Sequence, residues 1–268
     1  MSRSLRALAL AAVATLALAG CGSTDEPDSS SGSENGPGSE LPTASGEIVV
    51  FAAASLTESF TQLGKEFEQA NPEAMVTFNF AGSSALATQI NQGAPADVFA
   101  SAAPKNMTDV TNTGAITDSP VTFVTNTLEI AVPAGNPAKV TGLADFAKPD
   151  LKIALCAEQV PCGAAAKKVF EAAGVTPAPD TLEQDVKAVL SKVSLGEVDA
   201  ALVYKTDVKA AGDKVEGIEF PESDKAVNSY PIAACAKAPN AEGAKMFVDF
   251  VLSDKGKTVL TEAGFGTP

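Results

Sequence analysis

Short apolar strands alternate with amphipathic helical segments along most of this chain. The first unit has a β-rich run at 47–51, after which Leu56, Phe60 and Leu63 follow at helical spacing. Because strands that alternate with helices form parallel sheets, the pattern predicts an α/β fold with mainly parallel sheets flanked by helices. Further strands are predicted at 75–80, 97–100, 128–132, 153–155 and 200–204, and further helices at 85–90, 164–173 and 186–193.

The first 21 residues have the pattern of a secretion signal. Arg3 and Arg6 precede an apolar run at 7–17, and the Leu-Ala-Gly-Cys sequence at 18–21 resembles the lipobox of bacterial lipoproteins. A hydrophobic helix with an incidental cysteine is the alternative, but a run this short does not span a bilayer. We therefore predict a signal peptide at 1–20, a lipid on Cys21, and a lipid-anchored location on the extracytoplasmic face of the cell membrane.

The segment that follows Cys21 consists almost wholly of small and polar residues. Because so few apolar side chains cannot bury a core, residues 21–45 are predicted to form a flexible tether. The folded part would then start near Gly46, and it is long enough for one large or two modest domains.

The chain is acidic, with a formal net charge of −14, and its composition excludes several kinds of site. Such a charge argues against nucleic acid and anionic lipid as partners. The only two arginines lie in the predicted signal peptide, and the chain has no histidine. The commonest general base and metal ligand are therefore missing, as is the guanidinium group.

Three cysteines remain once Cys21 is assigned to the lipid, which is an odd number for a compartment where disulfides persist. Cys156 and Cys162 are close enough in sequence to close a small loop, so their pairing is favoured over a pairing with Cys235. Cys235 would then be a buried and inert thiol.

Four turns are predicted to begin helices, and each would collect free backbone N–H groups. Residues 55–58 have the S-x-x-E form of a capping box, which predicts that Ser55 caps its helix. The turns at 80–84 and 161–164 contain glycine before or within a helix start, and Asp185 is a candidate N-cap. Taken singly, each turn more often caps a helix than binds a ligand.

Taken together, the residues of these motifs resemble those of a known protein family. In their order along the chain, residues 51–56, 80–86, 93–99, 160–163 and 202–204 resemble the molybdate-binding protein family of the molybdate ABC importer. This family belongs to the periplasmic-binding-protein class. The resemblance implies a type II fold of two α/β lobes, joined by hinge strands, with the ligand in the cleft between them. We expect one lobe at 46–125 and 231–268 and the other at 126–230.

The resemblance also implies a set of ligand-binding residues. Position by position, the family's two serine hydroxyls fall on Ser55 and Ser83, and its tyrosine hydroxyl falls on Tyr204. Its two helix-start amides fall on Cys162, where the family usually has alanine, and on Val186. The family contact at Cys162 is made through the backbone N–H, so the cysteine should preserve it.

The function implied is the capture of molybdate, and also of tungstate, for delivery to a membrane permease driven by an ATPase. Neither a cofactor nor a bound metal cation is implied, and a monomer is expected. The donor chemistry agrees, because a fully ionised oxyanion needs only donors, which hydroxyls and amides supply. Sulfate or another tetrahedral oxyanion is the alternative ligand, since it has the same charge and shape.

Enzymatic functions are disfavoured by the residues available. A thiol oxidoreductase is the best alternative of this kind, but Cys156 and Cys162 are six residues apart and not in C-x-x-C spacing. Asp97 could accept a hydrogen bond from a protonated ligand, yet a structural aspartate that bonds the turn after 93–96 is favoured. Lys205 is expected to be a solvated charge at the rim.

Overall fold

The structure is a computed structural model that describes residues 43–268. The predicted signal peptide, Cys21 and most of the predicted tether lie outside these residues. Ala44 is buried and donates its N–H to Asn71 Oδ1 at 2.9 Å, and the first strand begins at Ser45. The folded part therefore includes the last two residues that were assigned to the tether.

The described residues contain ten strands, which form two five-stranded sheets. The strands are β1 (Ser45–Ala53), β2 (Glu73–Ala81), β3 (Val98–Ala100), β4 (Val121–Asn126), β5 (Leu128–Pro133), β6 (Ile153–Cys156), β7 (Thr181–Glu183), β8 (Ala200–Tyr204), β9 (Val215–Ile218) and β10 (Asn228–Ala234). The first sheet has the order β2-β1-β3-β10-β4, and the second has the order β7-β6-β8-β5-β9.

Each sheet is mixed, with one reversed strand. In the first sheet β10 pairs antiparallel with β3 and with β4, while β1 pairs parallel with β2 and β3. In the second sheet β5 is the reversed strand, since it pairs antiparallel with β8 and β9, while β6 pairs parallel with β7 and β8. The other four strands of each sheet point the same way, which agrees with the predicted α/β class.

Eight α-helices flank these sheets in the part of the chain described. They are α1 (Thr57–Ala70), α2 (Ser83–Asn91), α3 (Pro104–Thr111), α4 (Pro161–Ala173), α5 (Val186–Ser194), α6 (Lys205–Ala211), α7 (Ala241–Leu252) and α8 (Asp254–Glu262). Helix α4 begins three residues before the predicted start at 164, because proline is suited to a first helical position, where no N–H partner is needed. Between Thr43 and Pro268 no helix is long and apolar enough to cross a membrane.

The chain passes between the sheets twice. It leaves the first sheet after Asn126 and enters the second at Leu128, and it returns between Ile218 and Asn228. Asn126 and residues 228–230 thus pair within the first sheet, although the sequence predicted them in the second lobe. The limits of the lobes stay a prediction, and below we call the two sheets with their helices the first and second lobes.

The two lobes have separate cores of different chemistry. The core of the first lobe is rich in phenylalanine, and the ring centroids of Phe67 and Phe247 lie 5.4 Å apart. The core of the second lobe is mostly aliphatic, and it includes the buried pair Phe146 and Phe170. Ala54, which follows β1 in the first lobe, packs into the core of the second. The lobes therefore touch beside the end of β1.

Asp97 is a structural residue of the first lobe. It is fully buried, and its Oδ2 accepts from Val49 N while its Oδ1 accepts from Asn240 N, both at 2.7 Å. The sequence predicted a structural role but the wrong partners, since these two donors lie far from 93–96 along the chain. Asp97 ties β1 to the segment before α7.

Replacing Asp97 by alanine should lower the free energy of unfolding by about 3 kcal/mol, because two partly buried N–H groups lose a charged acceptor worth about 1.5–3 kcal/mol each. Urea denaturation measures this change. The control is Asp199→Ala, which removes a single exposed bond to Lys152 N. Equal losses in the two variants would contradict the structural role of Asp97.

Candidate functional site

One small cavity between the two lobes is lined by all five of the ligand-binding residues that the sequence predicted. It encloses about 10 Å³, close to the 10–15 Å³ that one water requires on this measure. The remaining lining residues are small or apolar, with Asp185 as the exception. The lining consists of Ala53, Ala54, Ser55, Ala81, Gly82, Ser83, Ala102, Val160, Pro161, Cys162, Asp185, Val186 and Tyr204.

The strand directions explain why these residues meet. Ser55 and Ser83 follow the carboxyl ends of β1 and β2, which are parallel neighbours. Cys162 and Val186 follow β6 and β7, and Tyr204 ends β8, again among parallel neighbours. Parallel strands bring their carboxyl ends to one edge of a sheet, where ligands of open α/β sheets bind. The two edges face the same cavity.

Ser55 does not cap a helix, so that prediction is wrong. It lies in a 3-10 turn, Ala54–Leu56, and α1 begins only at Thr57, without a side-chain cap. The Ser55 hydroxyl instead lies 2.9 Å from the hydroxyl of Tyr230 in β10. The extra turn displaces the start of the helix, and a tertiary partner takes the place of the local one.

Ser83 is the first residue of α2 and is buried. Its Oγ accepts a hydrogen bond from Ala102 N at 2.9 Å. Because the oxygen already accepts this bond, the Ser83 O–H proton remains available as a donor. Ser83 is thus held in place from one side and can donate from the other.

The Cys162 N–H lies at the start of α4. The first backbone hydrogen bond of α4 runs from Ala164 N to Val160 O at 3.0 Å. The N–H of Cys162 lies two residues before this donor. Such groups at a helix start have no partner within the helix. A disulfide joins Cys162 to Cys156, which is the pairing that the spacing favoured. The bridge anchors the helix start to the end of β6.

The Val186 N–H occupies the corresponding place in α5. Asp185 is the N-cap, as predicted, and its Oδ1 accepts from Ala188 N at 2.9 Å. The carboxylate of Asp185 is therefore engaged in capping, while the N–H of Val186 lies ahead of the capped groups. Both second-lobe amides are placed by the same principle, a helix start at the end of a parallel strand.

Tyr204 supplies a buried hydroxyl with no hydrogen-bond partner among the described residues. Burial raises the pKa of Tyr204 well above its ordinary value, and the pKa of Tyr230 is raised for the same reason. Both hydroxyls thus stay protonated at neutral pH. Since buried polar groups almost always have partners, an unpaired hydroxyl that faces a cavity is a candidate donor to a ligand.

A lysine outside the lining joins the elements around the cavity. Lys187 Nζ lies 2.8 Å from Glu58 Oε2 in α1 and 3.0 Å from Asp207 Oδ1 in α6. The Oδ2 atom of Asp207 accepts from Tyr204 N at 3.1 Å. One ammonium group thereby connects the segments that carry Ser55, Val186 and Tyr204, across both lobes.

The charges of this group are unequal in burial. Asp207 is fully buried and Glu58 is exposed. Burial raises the pKa of Asp207, and the Lys187 charge opposes that shift. Burial lowers the pKa of Lys187, but the carboxylates of Asp207 and Glu58 outweigh it, so that the pKa lies above its ordinary value. Lys187 thus remains charged and neutralises a carboxylate that has no access to water.

The remaining candidates lie away from the cavity. Lys205 is exposed and pairs with Glu219, its Nζ 2.6 Å from Oε1, as expected for a rim charge. Cys235 is a buried free thiol, and burial, with a smaller effect from Asp97, raises its pKa to about 12. A thiol of this kind is a poor nucleophile at neutral pH.

Three residues around the cavity were missed by reasoning from the sequence. Tyr230 holds Ser55, and Lys187 and Asp207 connect the two lobes and Tyr204. Tyr230 could have been noticed because the chain contains only two tyrosines. Lys187 and Asp207 carry no local signal, since their partners lie in other elements.

Comparison with known proteins agrees with this geometry. The family of bacterial extracellular solute-binding proteins matches residues 48–266. The molybdate-binding protein ModA of Mycobacterium tuberculosis is 40% identical over 259 residues, which cover 97% of this chain and 96% of that protein. The chain belongs to the molybdate-binding family of bacterial extracellular solute-binding proteins. The family consists of bacterial extracellular proteins that bind solutes.

Solved structures of related proteins have the same fold as this chain. The substrate-binding domain of a putative molybdenum ABC transporter from Clostridium difficile is 29% identical, with a TM-score of 0.62, and the match covers 83% of this chain and 99% of that one. The periplasmic molybdate-binding protein of Azotobacter vinelandii is 21% identical, with a TM-score of 0.71, and the match covers 82% and 99%. The predicted two-lobed fold is confirmed.

Replacing Lys187 by methionine should lower the free energy of unfolding by about 3 kcal/mol, because Asp207 would be left buried without its cation. Glu58→Gln removes only the exposed partner and should cost less than about 1 kcal/mol. Urea denaturation of both variants tests this order. Equal costs would contradict the assignment of Asp207 as the partner that matters.

Proposed function

We propose that this protein is an extracytoplasmic receptor that captures molybdate, and also tungstate, and delivers it to an ABC importer. The observation that carries the proposal is the convergence of neutral donors from both lobes on one buried cavity. The hydroxyls of Ser55, Ser83 and Tyr204 and the amides of Cys162 and Val186 are the proposed ligand-binding groups. The molybdate-binding relatives support the same ligand.

The chemistry of the lining suits a fully ionised tetrahedral oxyanion. Hydroxyl and amide groups supply donors, and hydrogen bonds to a charged partner contribute about 1.5–3 kcal/mol each. Five such bonds are sufficient for tight binding even without a lysine in the lining. Among the residues that the structure describes, Asp185 is the only carboxylate that lines the cavity, and its engagement in the cap of α5 limits its repulsion of an anion.

Capture requires the lobes to move. Every proposed ligand-binding residue is buried, so an ion reaches the cavity only when the walls separate. Ser55 and Ser83 belong to the first lobe, and Cys162, Val186 and Tyr204 belong to the second. The full set of bonds forms only in the closed arrangement, so binding favours closure. Lys187 with Glu58, and Lys209 Nζ with Glu262 O at 2.6 Å, are contacts that closure would create.

The proposed partners and location extend this function. Delivery to a permease with its ATPase is supported by the likeness to a substrate-binding domain of a molybdenum ABC transporter. A lipid on Cys21 would hold the receptor beside that permease on the extracytoplasmic face, and the tether would let it reach. We propose that the receptor acts as a monomer and without a cofactor.

Sulfate is a second candidate ligand. It has the charge and shape of molybdate, and the small volume of the cavity favours a compact ion. A thiol oxidoreductase is disfavoured. Cys156 and Cys162 form a disulfide at a helix start, and Cys235 is a buried thiol whose pKa is raised, so it is a poor nucleophile.

Thermal unfolding of the purified protein with molybdate, tungstate, sulfate, phosphate and chloride at matched ionic strength tests the proposal. An anion at about 100 times its dissociation constant should stabilise the protein by roughly 2.7 kcal/mol. We expect stabilisation by molybdate and tungstate. Stabilisation by sulfate alone would replace the proposal with its alternative, and an absence of stabilisation with every anion would overturn both.

Tyr204→Phe should weaken molybdate binding by about 1.5–3 kcal/mol, which is the value of one bond to a charged ligand. The unfolding free energy of the unliganded protein should not fall, because the hydroxyl has no partner to lose. Tyr230→Phe is the contrast, since its hydroxyl bonds Ser55 and its loss should cost about 1 kcal/mol of stability. Titration calorimetry and urea denaturation measure the two effects, and unchanged affinity in Tyr204→Phe would remove Tyr204 from the site.

A further inference from the structure

The two lobes make a close backbone contact beside the cavity. Gly82 lies between β2 and α2 in the first lobe, and Gln184 lies between β7 and α5 in the second. A Cβ atom placed on Gly82 would lie 2.3 Å from Gln184 O and 3.3 Å from Val160 Cγ1. Every residue except glycine would therefore collide with the opposite lobe.

The requirement for glycine does not come from the first lobe itself. Gly82 has φ −59° and ψ 134°, a conformation that any L-residue adopts without strain. Its Cβ would meet atoms of the second lobe, since Gln184 and Val160 both belong there. The need for glycine at this position thus arises only when the lobes are together.

Both sides of the contact are held by hydrogen bonds and adjoin proposed donors. On one side, the neighbouring Ser83 is held by Ala102 N. On the other side, Gln184 precedes Asp185, whose Oδ1 caps α5 by accepting from the N–H of Ala188, three residues further along the chain. Because a backbone carbonyl cannot rotate away as a side chain can, the contact sets a minimum distance between Ser83 and the start of α5.

We propose that the contact of Gly82 with the Gln184 carbonyl is the stop that limits closure of the two lobes and thereby sets the size of the cavity. This inference rests on the proposed function, in which the cavity holds an oxyanion. Hydrogen bonds weaken steeply beyond about 3.2 Å between donor and acceptor. A small change in the stop therefore has a large effect on affinity.

The test is Gly82→Ala. Restoring an ordinary contact distance of 3.4 Å or more from 2.3 Å requires a separation of about 1 Å. We expect the dissociation constant for molybdate to rise at least about tenfold, since several bonds across the cavity lengthen together. The unfolding temperature of the unliganded variant should stay the same or rise, because alanine restricts the unfolded chain.

Two further variants separate the causes. Gly142→Ala is the matched control, since a Cβ there meets nothing within 4 Å, and it should leave molybdate affinity unchanged. Gly82→Ala combined with Val160→Ala removes the side-chain contact and keeps the backbone contact, so affinity should stay low relative to Val160→Ala alone. Recovery of affinity in that double variant would overturn a backbone stop.

The remaining outcomes are also decisive. If the unsubstituted protein binds molybdate and Gly82→Ala binds it equally well, the stop is overturned while the proposed function stands. If Gly82→Ala lowers the unfolding temperature of the unliganded protein, the contact belongs to the resting fold and the stop is overturned. If the unsubstituted protein binds none of the oxyanions, the proposed function falls and the stop falls with it.

Discussion

Backbone N–H groups at helix starts have no partner within their own helix, and the candidate site depends on this constraint. The starts of α2, α4 and α5 each follow the carboxyl end of a strand, and the two sheets face one another at these ends. A helix start in a single lobe would only expose its amides to water. Two lobes with facing starts instead enclose a cavity on which five proposed donor groups converge, among lining residues that are mostly small or apolar.

The placement of charge complements these donors. The chain is strongly acidic, yet within residues 43–268 the cavity is lined by no lysine and by a single carboxylate, Asp185, which is engaged as a cap. The charge of Lys187 is balanced by the buried carboxylate of Asp207, and Lys187 does not line the cavity. Selectivity for an anion in such a site depends on how many donors the anion can bond at once. It therefore depends on the shape and size of the anion relative to the closed cavity.

Local patterns predicted six of the ten described strands and four of the eight described α-helices, and they failed where a tertiary partner competed. The strand at 200–204 and the cap at Asp185 agree with the structure, because alternation and capping are short-range effects. The capping box at 55–58 failed because Tyr230 binds the Ser55 hydroxyl and Lys187 binds Glu58. Both partners are more than a hundred positions away in sequence, so no local pattern reports them.

By itself, the sequence determined the α/β class, part of the strands and helices, and the motifs that place the chain in its family, since these depend on periodicity and on neighbouring residues. Only the tertiary structure decided that the donors meet in one buried cavity, that Lys187 connects three elements, and that Gly82 lies against Gln184. The physical reason is that these contacts join atoms brought together by the packing of two separate sheets, and the distance between two sheets is not a property of any segment.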